Sequence, residues 1–451
     1  MKSAEAVDVV IIGGGIVGTV LAKGLAEKVG LSVALIDAAD PKQTQESNTD
    51  FNPFTDTRVI ALARRTVAEL SSVGLNLEDV AKQHNGELPP EIKHIEVSDK
   101  GHVGLLNLNS DDYHIDAFGQ VVSLSALTRL AANASSAYQY IAPAKVETVT
   151  QQKDAVHVAL DNGETLTAKL LVLADGGRSG LAQQVGIAKT VSDYKQTAIV
   201  FNVHAQSPHQ NKAYERFTQN GPLAFLPFDS EIEGVKARGN GFSVVWTVET
   251  EAAKSLMTLT KTEFIKALQN AFGYRQGKIL RVSELASYPL MLVKAESLTS
   301  HRTVVVGNAA QALHPIAGQG FNLGLRDLST LIDVLSASSS AHNSQQNAAD
   351  KREDNSESQA VPEYLPERFD AGAFDVLQRY ANEREQDRNN TITLTDTLVR
   401  TFSNQYFPTV IGRNVSLLAL SMMPQAKKAF VKHTTGYGET PQINRDRNAA
   451  R

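Results

Sequence analysis

The chain contains no cysteine, a single tryptophan and five methionines among its 451 residues. The first absence excludes disulfides and thiolate metal sites and fits a reducing compartment; no metal site is expected. An excess of positive charge is also lacking: 44 Lys and Arg stand against 49 Asp and Glu, a formal net charge of −5. A nucleic-acid binder would favour a basic patch, so no nucleic-acid partner is expected. Long unbroken apolar runs are scarce as well. Residues 7–22 approach the length of a membrane helix, but Gly13, Gly14 and Gly15 interrupt them and no cleavage site follows. Strand, turn and helix is the reading they support. The expected location is cytoplasmic, with any membrane contact made peripherally at the inner face.

What is present is an ordinary globular composition, 42% hydrophobic and 21% charged, with chain enough for two domains or one composite domain. Val9-Val10-Ile11-Ile12 is a short apolar run ending in glycines, which reads as a buried parallel strand. A helix over about 16–29 and a second strand over 33–36, ending at Asp37, complete a βαβ unit. Residues 92–97 and 103–108 flank Asp99-Lys100-Gly101 as a hairpin, and Val156, Val158 and Leu160 alternate into a second at Asp161-Asn162-Gly163. Two further buried-strand runs, 170–173 and 303–306, each end in a polar, glycine-containing loop. Between them, residues 198–289 read as strands with one helix near 262–272. Helices are expected over 319–335 and 374–402. Residues 336–360 hold no Leu, Ile, Val, Met or aromatic side chain, too little to offset the entropy of ordering them, so this stretch reads as a disordered linker.

The chemistry-bearing pattern begins with Gly13, Gly15 and Gly18. In such a turn the first glycine permits the tight bend, the second lets backbone approach a pyrophosphate, and the third lets helix and strand pack closely. The helix start then offers free N–H groups and a positive dipole end to phosphate. Asp37, at the end of the second strand, is placed to accept from ribose hydroxyls. These features point to a bound dinucleotide without saying which one.

Two later motifs narrow the choice. Asp175-Gly176 follows the 170–173 strand, and Gly307-Asn308 through His314-Pro315, then Gly318-Gln319-Gly320, follows the 303–306 strand. In this order the three motifs resemble the aromatic-ring monooxygenases of the para-hydroxybenzoate hydroxylase type. Arg216-Phe217-Thr218-Gln219, Gly221-Pro222-Leu223-Ala224 and the Gly307 to Gly324 stretch are similar to the ubiquinone-biosynthesis hydroxylases. Ser98-Asp99-Lys100-Gly101-His102 and Phe118-Gly119-Gln120-Val121-Val122 look most like the 2-polyprenyl-6-methoxyphenol hydroxylase branch.

The resemblance implies FAD as cofactor, NAD(P)H as electron donor and molecular oxygen as co-substrate. It implies oxygen activation as a flavin C4a-hydroperoxide and hydroxylation of a polyprenylated phenol. Arg58, Gln120, Asp175, Gly176, Gly307, Asn308 and Asn322 match cofactor-binding positions, and Pro315, Gly318, Gln319 and Gly320 match the stretch beside the flavin ring. Many relatives carry aspartate where this chain has Asn308; asparagine still accepts through its carbonyl. Read physically, Gly318-Gln319-Gly320 before a helix would aim N–H groups at a reduced, electron-rich ring, and Pro315 fixes the approach to it. His314 reads as a loop histidine ordering backbone beside Pro315.

The expected fold is α/β: a Rossmann-like FAD-binding domain, an interleaved β-sheet substrate domain and a C-terminal helical region. Residues 1–190 form the first part of the FAD-binding domain, with a β-rich excursion at 92–122. Residues 191–295 form the substrate-covering sheet, 296–335 the second part of the FAD-binding domain, 336–366 the linker and 367–451 the helical region. Arg216, Phe217, Phe225, Pro227 and Trp246 are expected in the covering sheet, the aromatics as core. Partners implied are the phenol substrate and other ubiquinone-biosynthesis proteins; residues 415–423 with Lys427, Lys428 and Lys432 read either as a C-terminal helix packed on the core or as a contact with a membrane surface. Alternatives left open are a sister hydroxylase acting at another ring carbon, a flavin-dependent reductase or oxidase, and a flavin-binding structural subunit.

Overall fold

The computed structural model describes residues 5–39, 56–83, 87–133, 137–315, 318–353, 369–402, 414, 416 and 419–437. Glu5–Ile12 is a strand without polar alternation beyond Asp8 because both its faces are covered; Val9, Val10 and Ile11 are fully buried. It pairs in parallel with Val33–Ile36 on one side and Thr165–Leu173 on the other, and Thr303–Val305 adds in parallel to the latter. Thr165–Leu173 carries two roles along its length. Its first half closes the hairpin with Val156–Leu160 through a turn in which Gly163 takes φ +81°, and its second half is the central buried strand. The helix Ile16–Gly24, extended by a widened turn Leu25–Val29, packs on this sheet together with the long helix that begins at Gln319.

The second large sheet is built on Lys189–Ala205, a 17-residue strand with Gly241–Glu249 on one side and Ala286–Ala295 on the other. Gly221–Pro227 and Lys212–Thr218 follow in antiparallel order. His94–Asp99 then pairs in parallel with Lys212–Thr218, and Leu105–Asn109 closes the edge. The hairpin around Lys100 therefore forms, but in this sheet rather than in the dinucleotide-binding half. Its alternating Ile95 and Val97 join an apolar cluster with Ala213 and Phe217 of the neighbouring strand, which local sequence cannot reveal. The ends of the 92–122 excursion lie in a separate three-stranded sheet, in which Gly119–Ser123 pairs with Val59–Ala63 on one side and Glu91–Ile92 on the other.

Two helices cover the outer face of the second sheet where one was expected. Lys261–Phe272 opens with a capping box, Thr260 with Glu263. Thr250–Met257 was not anticipated: it is eight residues long and fully buries only Ala253, so its periodic signal is faint.

The linker reading is corrected for residues 336–353, because the helix Gln319–Glu353 runs through them. Its first half is anchored by buried Leu325, Leu328, Leu331 and Leu335. Once that half is formed, Ser, Ala, Gln, Lys and Glu extend it without a new nucleus, and no Pro or Gly intervenes. Residues 354–366 of the expected linker lie outside the described residues. Phe374–Phe402 packs along the long helix, and Pro424–Thr434 follows as a shorter one. Among the described residues no helix is long and apolar enough to cross a membrane.

Candidate functional site

The first motif bends where close packing demands it. Gly13 takes φ +113°, and a Cβ there would lie 2.6 Å from the carbonyl oxygen of Ala174. A Cβ on Gly18 would collide with the carbonyl oxygen of Gly13, so helix and strand touch through backbone alone. Gly14, which the sequence pattern leaves without a role, is pressed against the Asp37 carboxylate and admits no side chain. Gly15 is different: a Cβ there meets nothing within 4 Å. It is the N-cap of Ile16–Gly24, a helix with no side-chain cap bond and no acid in its first turn. Its leading N–H groups are thus available to an anion.

Four strand ends bring the motifs into one line. The spatial order places Thr303–Val305, Thr165–Leu173, Glu5–Ile12 and Val33–Ile36 side by side and parallel. Gly307, Asp175, Gly13 and Asp37 follow their carboxyl ends in that order. With neighbouring strands ~4.8 Å apart, the line is about 15 Å long, the scale of an extended dinucleotide. The second motif touches the third: a Cβ on Gly177 would lie 3.5 Å from the carbonyl oxygen of Asn308. Asp175 is occupied locally, accepting from the N–H groups of Gly177 at 2.9 Å and Ser179 at 3.1 Å and from the Ser179 hydroxyl. Its carboxylate orders the turn, leaving the N–H of Gly176 at an exposed bend. Asn308 is exposed beside it.

The loop after Pro315 is held by Asn322. Its amide nitrogen donates to the carbonyls of Ala61 at 2.9 Å and Gly318 at 2.7 Å, and its oxygen accepts from the Ala63 N–H at 2.8 Å. This side chain, expected at a cofactor position, is buried and bonded to backbone on both ends. It clamps the Gly318 turn, at φ +61°, to the Val59–Ala63 strand. Gln120 lies opposite Leu62 on the adjoining strand, and Arg58 is half exposed three residues before Ala61, 3.4 Å from Asp56. Gln319 is buried, and Gly320 lies against Leu313.

His314 is fully buried, edge-on to Tyr194 and 3.3 Å from the Gln196 side-chain oxygen. Burial pushes its pKa down to about 4, so the ring is neutral at physiological pH. The same loop is stitched into the second sheet, since Gln311–Ala312 pairs with Val293 and Lys294. Asn202 of Lys189–Ala205 also donates to the Asp56 carbonyl at 3.1 Å. The antiparallel sheet thus sits directly over the loop that follows the third motif.

A buried charge network beneath that motif was missed from sequence, where residues 383–385 read only as a charged helix middle. Asp327 accepts from the Gly307 N–H at 3.0 Å and from Gln311 at 2.8 Å, and Arg384 donates to it at 2.9 Å. Arg384 and Arg326 both pair with Asp387, and Arg388 donates to Gln311 at 2.9 Å. Burial opposes the charge on Asp387, but Arg384 and Arg326 outweigh it and hold its pKa below the ordinary range. A full Arg burial with two carboxylates is a signal only once the helices are packed.

The covering-sheet residues divide by face. Phe225 and Trp246 pack outward with Phe242, Phe264 and Phe272, and Arg216 points the same way, donating to the Ala271 carbonyl and the Ser98 hydroxyl, both at 3.1 Å. Phe217 faces inward with Phe118 and Val121.

The residues fit an FAD: an uncapped helix start beside an open glycine, an acid at the ribose end, and donors and backbone of a third motif at the far end of a line of suitable length. The FAD binding domain family model matches residues 6–358. The ubiquinone hydroxylase UbiL of Rhodospirillum rubrum is 32% identical over 435 residues, 95% of this chain and 89% of that protein. The 3-demethoxyubiquinol 3-hydroxylase of Escherichia coli is 26% identical over 95% of this chain and 98% of its own. Among solved structures, p-nitrophenol 4-monooxygenase PnpA of Pseudomonas putida superposes with a TM-score of 0.67 at 17% identity, covering 96% of this chain and 99% of that one.

Proposed function

The chain belongs to the FAD binding domain family and, within it, to the FAD-dependent ubiquinone-biosynthesis hydroxylases; from that membership we propose that it hydroxylates the ring of a 2-polyprenyl-6-methoxyphenol. It is a flavin monooxygenase, with NAD(P)H as electron donor and oxygen as co-substrate. FAD, when bound and reduced, supplies the oxygen-activating chemistry. The protein's own residues bind, orient and exclude water. In this reading the Gly13–Gly18 turn and the Ile16 helix start hold the pyrophosphate, and Asp37 holds the ribose. Arg58, Gln120, Asp175, Gly176, Gly307 and Asn308 line the cofactor's path. Pro315, Gly318, Gln319 and Gly320 approach its ring with backbone donors.

The observation that carries the proposal is the seating of the antiparallel sheet over the third-motif loop, through Gln311–Ala312 and Asn202. In this reading the ring substrate lies between that sheet and the cofactor, shielded from water as electrophilic hydroxylation requires. Product analysis with reduced nicotinamide, labelled oxygen and a panel of prenylated phenols tests it. Label should enter the 6-methoxyphenol substrate; label in a differently substituted ring only would move the assignment to a sister hydroxylase, and no label in any product would refute hydroxylation.

A polyprenyl substrate also favours peripheral membrane contact. Met422 and Met423 are 79% and 56% exposed, immediately before a helix whose outer side carries exposed Lys428 and Lys432. Apolar side chains beside lysines suit an anionic lipid surface. Val415, Leu417 and Leu418, which the sequence reading included, lie outside the described residues. Flotation with anionic vesicles should recruit the protein, and charge reversal at both lysines should release it.

A further inference from the structure

The turn between His94–Asp99 and Leu105–Asn109 takes no part in the site described above, yet it holds two apolar side chains in water. Val103 is 75% exposed and Leu105 42%, while Leu106 beside them is buried. The turn itself is closed by backbone, from the Asp99 N–H to the Gly104 carbonyl at 3.2 Å. Between Asp99 and Asp111 the chain carries no acid, and Lys100 and His102 flank the tip. The Asp99 side chain is fully buried, 3.3 Å from the His102 ring. An apolar tip with cationic neighbours is what an anionic lipid surface attracts.

Asn414 ties this tip to the C-terminal region. Its buried carboxamide donates to the Asp99 Oδ2 at 2.7 Å and accepts from the Gly104 N–H at 2.8 Å, partners 315 and 310 residues earlier. The undersides meet as well: Leu106 and Leu108 of the hairpin share one apolar cluster with Leu420, Phe430 and Val431. Leu420 lies two residues before Met422, and Phe430 lies in the helix that follows Met423. Val103 and Leu105 on one element, and Met422 and Met423 on the other, thus stand over a common core. From Thr397 to Gly438 there is no Asp or Glu and there are five Lys or Arg, in a chain whose net charge is −5. Lys428 and Lys432 are exposed one helical turn apart.

We propose that the hairpin tip and the Met422–Met423 segment form a single docking surface for an anionic lipid bilayer, with Val103 and Leu105 entering it beside the two methionines; this rests on the peripheral-membrane reading above and adds an element from the other end of the chain. Apolar side chains at the headgroup boundary gain by leaving water, and the lysines add attraction to anionic headgroups. Two elements joined at Asn414 also fix how the protein sits, which one short segment does not. The shared cluster extends inward to Ala61, whose side chain lies against the Gly318 turn. The docked surface is therefore connected by packing to the loop beside the cofactor, on the side where an apolar substrate is used.

The lack of cysteine lets a single label be placed at will. Val103→Cys and, as control, Phe374→Cys carry an environment-sensitive fluorophore on the full-length, FAD-loaded protein. Phe374 is 80% exposed and lies about 36 Å along its helix from Leu398, a member of the shared cluster. Vesicles of phosphatidylcholine with phosphatidylglycerol should shift the emission at position 103 to the blue and leave position 374 unchanged; phosphatidylcholine alone should shift it far less. In the unlabelled protein, Val103→Ser with Leu105→Ser should weaken partition into the mixed vesicles about tenfold. Bound flavin and melting temperature equal to the wild type establish folding. A protein that floats with vesicles while the label at 103 stays in water overturns the two-element surface and leaves the C-terminal contact standing. No flotation with either vesicle overturns both and leaves the hydroxylase reading untouched. A blue shift that grows with protein concentration in the absence of vesicles marks a second copy as the occupant and also overturns the proposal.

Discussion

In the parallel sheet every candidate group lies just beyond the last residue of a strand, whereas in the antiparallel sheet the candidate groups lie in mid-strand, facing inward. Gly13, Asp37, Asp175 and Gly307 follow strand ends that are themselves pure core. Gln196, Asn202 and Phe217 are ordinary strand positions, distinguished only by facing the dinucleotide-binding half. The first arrangement suits a cofactor that needs backbone N–H groups and close approach. The second suits a substrate that needs a shaped surface and one or two side-chain contacts. The two meet where Gln311–Ala312 joins the antiparallel sheet and where His314 reaches Gln196.

The contrast can be broken most severely at Gly18. Gly18→Val should abolish FAD retention, because the added carbons would displace the Gly13 carbonyl; a purified variant still carrying a full flavin spectrum would show that the tight turn is dispensable. Next in size is the buried network that supports Gly307. Arg384→Met leaves Asp327 and Asp387 buried without their shared partner, which should cost about 3–5 kcal/mol in denaturant unfolding.

A smaller effect is expected at the junction of the sheets. The His314 pKa lies near 4 in the folded chain against an ordinary 6.5, so the unfolded chain takes up this proton first. Stability from this group is complete above about pH 6.5 and declines as pH falls toward 4. Between pH 7 and 5 the loss should be about 2 kcal/mol, and His314→Asn should flatten that part of the stability profile. The smallest effect sharpens the comparison. Gly15 has helix-compatible φ near −66° and open space at its Cβ, so Gly15→Ala should leave the melting temperature of the apoprotein unchanged. It should still weaken FAD binding about tenfold, since a methyl group would stand where the pyrophosphate approaches. Flavin titration and calorimetry separate the two outcomes.

Much of the dinucleotide-binding half was legible because its signals are local. An apolar run ending in Gly13-Gly14-Gly15, with Asp37 at the next strand end, fixes strand, turn and helix within forty residues. The hairpin turns at Lys100 and Asn162 were legible for the same reason. The sheet that Lys100's hairpin joins was not, since Val97 meets Glu215 across 118 residues of chain. Asn322 matched a cofactor position in sequence, but its clamp on the Val59–Ala63 strand was not legible, because that strand is delivered to it from 259 residues away. The helical extension to Glu353 was misread for an energetic reason: composition without apolar residues argues against an independent helix, not against one already nucleated.

The amino-acid sequence by itself determined where the chain must turn sharply, where it must be buried on both faces, and hence where a dinucleotide can be held. Those properties depend on φ, on the missing Cβ of Gly13 and Gly18 and on runs such as Val9 to Ile12, all of which are local. Only the tertiary structure decided which side of each antiparallel strand faces the dinucleotide-binding half, that Arg216 faces the helices, and that Arg384 is buried against Asp327. A strand residue's alternation is written in the sequence, but what covers each face is set by elements hundreds of residues away.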